Sequence, residues 1–249
     1  MKFIGIIPAR YGSTRFPGKP LADIGGKTVL RRVYEQASKA LDTVVVATDD
    51  DRIYDAVEAF GGKVVMTRHD HKCGTDRCKE AYEAITTPSW RAQNDADTVI
   101  INIQGDEPFI QPEQIETLMA CFDREGTDIA TLVRPFTEAD SQADLADVNT
   151  PKVNWNPATG EAKMFSRSVI PAADGKHYRH IGIYAYRADA LNKITTLPQS
   201  PLEIKERLEQ LRWLENGYTI RVGVTEIPTI GIDTPEDLEK ARDWYKFNG

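Results

Sequence analysis

Along its first half the chain alternates short aliphatic runs with segments of helical spacing. Residues 3–7, 43–47, 63–66 and 98–103 are continuous apolar runs bounded by turn residues, the pattern of strands buried on both faces. Between them Val29, Leu30, Val33 and Ala37 share one helical face, and Ile53, Ala56, Val57 and Phe60 share another. Gly61-Gly62 stops the second of these helices. Residues 112–122 place Ile115, Leu118, Met119 and Phe122 on one face, with Pro112 suited to the first turn. Strand–helix–strand–helix order predicts an α/β fold: a mostly parallel sheet with helices on both faces.

After about residue 137 the rhythm changes. Residues 138–156 are polar and acidic without a clear period, and 163–170 and 179–187 read as strands. Residues 201–216 read as one helix with Leu202, Leu208, Leu211, Trp213 and Leu214 as its apolar members, and 218–224 as a strand. Thr234-Pro235-Glu236-Asp237 is a capping box with proline in the first helical position, opening a last helix to about Phe247. No internal repeat and no linker-like stretch interrupts the chain. The expectation is a single domain over 1–249 with an inserted strand–loop–strand region at about 138–190.

Composition narrows the classes chiefly by exclusion. Over 249 residues the chain is 41% hydrophobic and 28% charged, an ordinary globular balance. No apolar run approaches the roughly 20 residues of a membrane span, and residues 3–7 are too short for a signal peptide and lack its cleavage site. A cytoplasmic location is the expectation, with no membrane partner. The net charge of −7 disfavours polynucleotide binding, so no nucleic-acid partner is expected. Small anions would need a local cationic cluster working against that global field. Cys73, Cys78 and Cys121 are an odd number with no CxxC pair, which excludes a disulfide framework and a zinc ribbon.

Such a cluster exists. Residues 7–20, Ile-Pro-Ala-Arg-Tyr-Gly-Ser-Thr-Arg-Phe-Pro-Gly-Lys-Pro, leave the end of the first strand, where open α/β sheets place their ligand crevice. Two glycines allow close backbone approach, and Arg10, Arg15 and Lys19 supply the charge a triphosphate needs. It is a near miss for a Walker A loop: five residues separate Gly12 from Gly18 where that motif has four, and Pro20 follows Lys19. At the end of the fourth strand, Gly105 allows a sharp exit and Asp106 would project toward the same crevice. A carboxylate there suits Mg²⁺, which takes one or two carboxylates plus phosphate oxygens. The plain alternative is a turn into the next helix. Asp233, just before the cap Thr234, reads either as a carboxylate favoured by a helix dipole or as a second metal ligand. Asp49-Asp50-Asp51 resembles the DxD motif of metal-dependent glycosyltransferases, but helix capping explains it adequately. His69 and His71 lack partners at useful spacing.

Taken together, residues 7–21, Gly74-Thr75-Asp76-Arg77, Gln104-Gly105-Asp106-Glu107-Pro108 and residues 231–238 resemble the 3-deoxy-manno-octulosonate (Kdo) cytidylyltransferases. Residues 179–187 and 202–212 extend the likeness, which runs from Met1 to about Tyr245. The resemblance implies a Rossmann-like three-layer nucleotidyltransferase fold with a dimerisation insertion. It implies Mg²⁺-dependent transfer of CMP from CTP to Kdo with release of pyrophosphate, for lipopolysaccharide biosynthesis, by a homodimer. Arg10, Ser13, Arg15 and Lys19 would then cradle the triphosphate; Arg77, Gln104 and backbone groups around Pro8 and Ala9 would hold the cytidine. Asp106 and Asp233 would bind the metal, and Arg167, His180, Tyr184, Glu209 and Gln210 would meet the sugar acid. The segment 172–178 is short, and Cys73 stands where a small hydroxyl is frequent. Alternatives are another sugar-acid nucleotidyltransferase on the same fold, or an inactive nucleotide-binding protein.

Overall fold

The computed structural model describes residues 1–172 and 175–248. The chain forms two compact units, one of residues 1–115 with 229–249, the other of residues 116–228. The expected insertion at about 138–190 lies within the second unit.

The first unit opens with β1 (Lys2–Ala9), then the two-residue strands β2 (Asp23–Ile24) and β3 (Lys27–Thr28), α1 (Val29–Ala40) and β4 (Val44–Thr48). It continues through α2 (Asp51–Ala59), β5 (Val64–Met66), α3 (Gly74–Ile85), α4 (Pro88–Asn94) and β6 (Thr98–Asn102). Strands β5, β4, β1 and β6 lie side by side in that order, every pair parallel. All five residues of β4 and of β6 are buried, as their unbroken apolar runs require. Helix α1 starts where Thr28 Oγ1 accepts from the Arg31 N–H, and it buries Val29, Leu30, Val33 and Ala37, the face the spacing predicts. Asp50 caps α2 by accepting from the Arg52 N–H. At the other end of α2 Gly61 adopts φ 76° while the Gly61 and Gly62 N–H groups close on Glu58 and Val57.

Helix α3 was not among the expected elements. Its buried face carries Thr75, Arg77 and Cys78 beside Ala81 and Tyr82, so helical periodicity is present while the hydrophobic signal is not. A C-terminal helix, Pro235–Asn248, completes this unit. The Asp237 carboxylate accepts from the Thr234 N–H and hydroxyl, and the Asp237 N–H donates to Thr234 Oγ1, which is the expected capping box. Ile24, Val29, Phe109, Ile232, Leu238 and Ala241 form one buried cluster here. Each of these side chains other than Ala241 contributes about 1.5–3 kcal/mol on burial, and the cluster fixes the backbone on either side of Phe109 and Ile232.

Helix α5 (Pro112–Ala120) leads into the second unit: β7 (Ile129–Pro135), α6 (Gln142–Ala146), β8 (Lys152–Asn156), β9 (Glu161–Ser166) and β10 (Tyr178–Arg187). Then come α7 (Ala188–Ile194), α8 (Pro201–Glu206), α9 (Gln210–Glu215) and β11 (Ile220–Val224). Within this unit β10, β7, β11, β9 and β8 are neighbours in that order, with β11–β7 parallel and the rest antiparallel. Three expectations change here. The polar stretch 138–156 contains α6, opened by a Ser141–Asp144 capping box, and β8. The strand expected over 163–170 is β9, ending at Ser166, because the Arg167 N–H turns away to the Glu206 carboxylate at 2.9 Å. The single helix over 201–216 is two. Arg207 sits at φ 54°, a left-handed stop, so Leu202 in α8 does not continue the face that α9 buries, and it is exposed.

Candidate functional site

The carboxyl ends of the four parallel strands carry the first unit's chemistry. The basic loop leaves β1 and folds on itself: the Gly18 N–H donates to the Tyr11 carbonyl at 2.8 Å. Gly18 has φ 74°, and a side chain there would press the Tyr11 ring at 3.1 Å. The loop delivers Lys19 into a 3-10 turn anchored by the buried Pro20. From the end of β6, Gly105 passes so close to β1 that a Cβ would come within 2.9 Å of the Pro8 carbonyl oxygen. Only glycine fits there without moving one of the two backbones, and Asp106 follows directly.

Lys19 Nζ lies 2.5 Å from Asp106 Oδ2 and 3.1 Å from Asp233 Oδ1, and donates to the Ile232 carbonyl at 3.0 Å. Arg15 reaches the other oxygen of Asp233 at 3.1 Å. The backbone ties the same residues, since the Ile232 N–H donates to the Asp106 carbonyl at 2.9 Å. Four side chains from three distant stretches of sequence therefore meet at one point. Burial works to lower the Lys19 pKa, but the charge and hydrogen bond of Asp106, joined by those of Asp233, outweigh it and hold the ammonium above its ordinary value. Burial pushes the neighbouring Glu107 carboxyl up to about 8, with the Asp106 charge adding to the effect.

Among the described residues no three His, Cys, Asp or Glu side chains gather as a complete metal cage. Two carboxylates aimed at one cation are an oxygen-only donor set. It fits an ion such as Mg²⁺ that completes its shell with water and phosphate oxygens. The Lys19 ammonium stands in that place here.

Arg77 is the second feature. Its guanidinium is wholly buried; Nη1 donates to Thr67 Oγ1 at 2.6 Å, and Nη2 is 3.2 Å from Asp49 Oδ2. Nε has no hydrogen-bond partner. Thr67 and Asp49 follow β5 and β4, so Arg77 reaches the same strand ends as the basic loop. Capping accounts for Asp50, but Asp49 has a different task, as the charge partner of a buried arginine. The only hint in the sequence was that a buried arginine must be matched by an acid somewhere. Among the remaining expected residues of this unit, Pro8 is half-buried and Ala9 buried at the end of β1. Arg10 is exposed, Gln104 is half-buried in the turn before Asp106, and Ser13 Oγ accepts from the Phe16 N–H.

The residues expected to meet a sugar acid all lie in the second unit. Tyr184 packs with His180, Tyr186 and Trp213 at ring separations of 5.3, 6.0 and 5.2 Å. Burial, with the Glu209 charge adding to it, holds the Tyr184 hydroxyl well above its ordinary pKa. The Tyr184 hydroxyl, the Gln210 amide nitrogen and Trp213 Nε1 are buried without hydrogen-bond partners, and Glu209 accepts from Arg212 at 2.8 Å. Arg167 is occupied locally, donating to the carbonyls of Glu206, Val148 and Arg207.

His180 Nε2 is 2.9 Å from Thr131 Oγ1, and that hydroxyl donates to the Ile183 carbonyl at 2.8 Å. The ring therefore carries its proton on Nε2 and is neutral. Burial pushes its pKa down to about 3 from an ordinary 6.5. A cationic contact to a carboxylate is thus not available near neutral pH; with Nε2–H given to Thr131, Nδ1 is left as an acceptor, suited to a hydroxyl. The folded ring refuses a proton that the unfolded chain accepts below about 6.5. Stability is therefore expected to fall as pH drops from 6.5 toward 3, by up to about 1.4 kcal/mol per pH unit from this group. Urea midpoints taken across that range should decline more shallowly in His180→Gln than in the wild type; equal slopes would show that the ring titrates freely.

Comparison with known proteins adds three findings. The cytidylyltransferase family model matches residues 4–222. The 3-deoxy-manno-octulosonate cytidylyltransferases of Parabacteroides distasonis and Bacteroides thetaiotaomicron are 59% and 58% identical to this chain. The first match covers 97% of each chain and the second 99% of each. A solved structure of CMP:2-keto-3-deoxy-manno-octonic acid synthetase complexed with CTP is 42% identical, with a TM-score of 0.88 over 100% of both chains.

Proposed function

This chain belongs to the 3-deoxy-manno-octulosonate cytidylyltransferase family, and we propose that it transfers CMP from CTP to Kdo, releasing pyrophosphate, with Mg²⁺ as cofactor. The observation that carries the reading is Lys19 Nζ held between Asp106 and Asp233 at 2.5 and 3.1 Å. The anomeric oxygen of Kdo attacks the α-phosphorus, the bond from that phosphorus to the bridging oxygen breaks, and the hydroxyl proton passes to solvent. Nucleotide and sugar acid are both anions, so the reaction needs fixed positive charge between and behind them. Lys19 and Arg15 supply it to the departing phosphates, and Arg10 and Ser13 extend the cradle. Asp106 and Asp233 would hold Mg²⁺, which when bound supplies further positive charge against the phosphate oxygens. Arg77, with unused donors in a dry setting, and Gln104 hold the cytosine beside the Pro8–Ala9 backbone.

On the sugar side, the unpartnered Tyr184 hydroxyl and Gln210 amide, with His180, Glu209 and Arg167, are the groups that meet Kdo. This product serves lipopolysaccharide assembly in the cytoplasm. Among the described residues no helix is long and apolar enough to cross a membrane. The three-layer Rossmann-like arrangement and a homodimer built on the inserted region belong to the same reading. Supporting the dimer, Val148 and Val169 are exposed apolar side chains of that region, on segments that Arg167 ties together by donating to the Val148 carbonyl. Sedimentation equilibrium should give twice the chain mass, and Val169→Asp should shift it toward the monomer; an unchanged mass would move the interface elsewhere.

The test is pyrophosphate release from CTP with and without Kdo, in Mg²⁺ and in EDTA. Release requiring both Kdo and Mg²⁺, and preferring CTP over UTP, supports the proposal. Equal release with other sugar acids, or CTP binding with no release, would favour the alternatives of a different acceptor or an inactive nucleotide binder.

A further inference from the structure

We propose that the basic loop is a charge-exchange clasp: in the nucleotide-free chain Lys19 and Arg15 occupy the carboxylates of Asp106 and Asp233, and release them for a divalent ion only when a triphosphate takes the two cations. The inference rests on the function proposed above and adds to it an order of events, nucleotide before metal.

The geometry shows why the same four side chains cannot do both jobs at once. An ammonium has three protons to donate. Those of Lys19 are matched by three acceptors of the site itself, Asp106 Oδ2, Asp233 Oδ1 and the Ile232 carbonyl. Arg15 covers the second oxygen of Asp233. Both oxygens of Asp233 and one of Asp106 thus already face a protein cation. A divalent ion entering at these oxygens meets like charge at contact distance, and must displace a half-buried ammonium that then has no counter-charge. A triphosphate removes that obstacle, because it carries more negative charge than the two carboxylates together and accepts from lysine and arginine in the same way.

The parts that must move are free to do so. The Arg15 side chain is 65% exposed. Lys19 hangs from a backbone pinned by the buried Pro20 and by the Leu21 N–H bond to the Gly18 carbonyl, so its long side chain can swing while the turn stays still. The carboxylates stay behind, because the Ile232 N–H bond to the Asp106 carbonyl and the buried Phe109–Ile232 cluster hold both backbones whatever the lysine does.

The experiment measures Mn²⁺ binding to the full chain without any nucleotide, by electron paramagnetic resonance of the free ion. Wild type is expected to bind weakly, and Lys19→Met at least about tenfold more tightly, because the competing ammonium is gone. Lys19→Arg keeps the charge and should stay weak. Lys19→Met combined with Asp233→Asn should lose the gain, placing the ion on this pair. Arg15→Ala, at an exposed position that no packing depends on, should tighten binding by a smaller factor, about threefold. Mn²⁺ affinities that are equal in wild type, Lys19→Met and Arg15→Ala would overturn the clasp. That result is separable from failure of the proposed function, which would show as absent Kdo-dependent pyrophosphate release in the wild-type enzyme.

Discussion

Replacing Asp106 by asparagine is expected to lower kcat for pyrophosphate release by at least about a thousandfold, close to 4 kcal/mol of barrier, while the protein stays folded. Asparagine keeps the shape of the side chain and one acceptor oxygen for Lys19, but removes a charge from the site meant to balance a cation. Stability should change by only about 1 kcal/mol, because Asp106 is 28% exposed and Asp233 still pairs with Lys19. The loss should therefore appear in kcat and in the metal dependence, not in the melting temperature. Near-normal turnover in Asp106→Asn would remove this carboxylate from the chemistry.

The second large effect is on stability. Asp49→Ala is expected to cost about 3 kcal/mol, since it strands the Arg77 guanidinium, which is 0% exposed, with Thr67 and no counter-charge. For a chain of this length that is a melting-temperature drop of about 6–12 °C. The Mg²⁺ requirement should be unchanged, and KM for CTP should rise because Arg77 loses the partner that orients it. Removing both members, as in Asp49→Ala with Arg77→Met, should recover part of the stability, because no unpaired buried charge remains. The same variant separates this site from a glycosyltransferase built on Asp49–Asp51. There Asp49 would hold the metal, and its loss would abolish turnover with little thermal effect.

How far the sequence could be read depended on whether hydrophobicity or polar pairing fixed each element. Strands β1, β4 and β6 were legible because burial of their central residues on both faces favours an unbroken apolar run; β5, at the edge with Val64 and Val65 half-buried and Met66 exposed, was legible from its apolar residues alone. Helices α1 and α2 announced themselves through apolar faces, and the C-terminal helix through its capping box at Thr234. Helix α3 was hidden because its buried face uses Thr75 and Arg77. In the second unit, Lys152 is only 1% exposed and is held by the carbonyls of Asp147 and Arg167, a core position that no pattern of apolar residues can announce. The short strand–turn–helix pieces there are set by such tethers, which is why boundaries near residues 138–170 and 201–216 moved.

For the site, each half was visible as a motif and the meeting was not. Asp106 and Asp233 lie far apart in sequence, and what joins them is a backbone bond from Ile232 together with the buried Phe109–Ile232 cluster. Main-chain hydrogen bonds leave no trace in side-chain identity. Asp49 was misread for a related reason, since three consecutive aspartates look alike until one of them is seen against a buried guanidinium.

A crystal structure of the enzyme with CTP and Mg²⁺ bound tests most directly whether one N-terminal cationic loop and two carboxylates from distant segments form a single triphosphate site. The expected result has the Lys19 ammonium on the triphosphate, with Asp106 and Asp233 turned to the ion. A triphosphate bound elsewhere, with the Lys19–Asp106–Asp233 contacts intact, would contradict it.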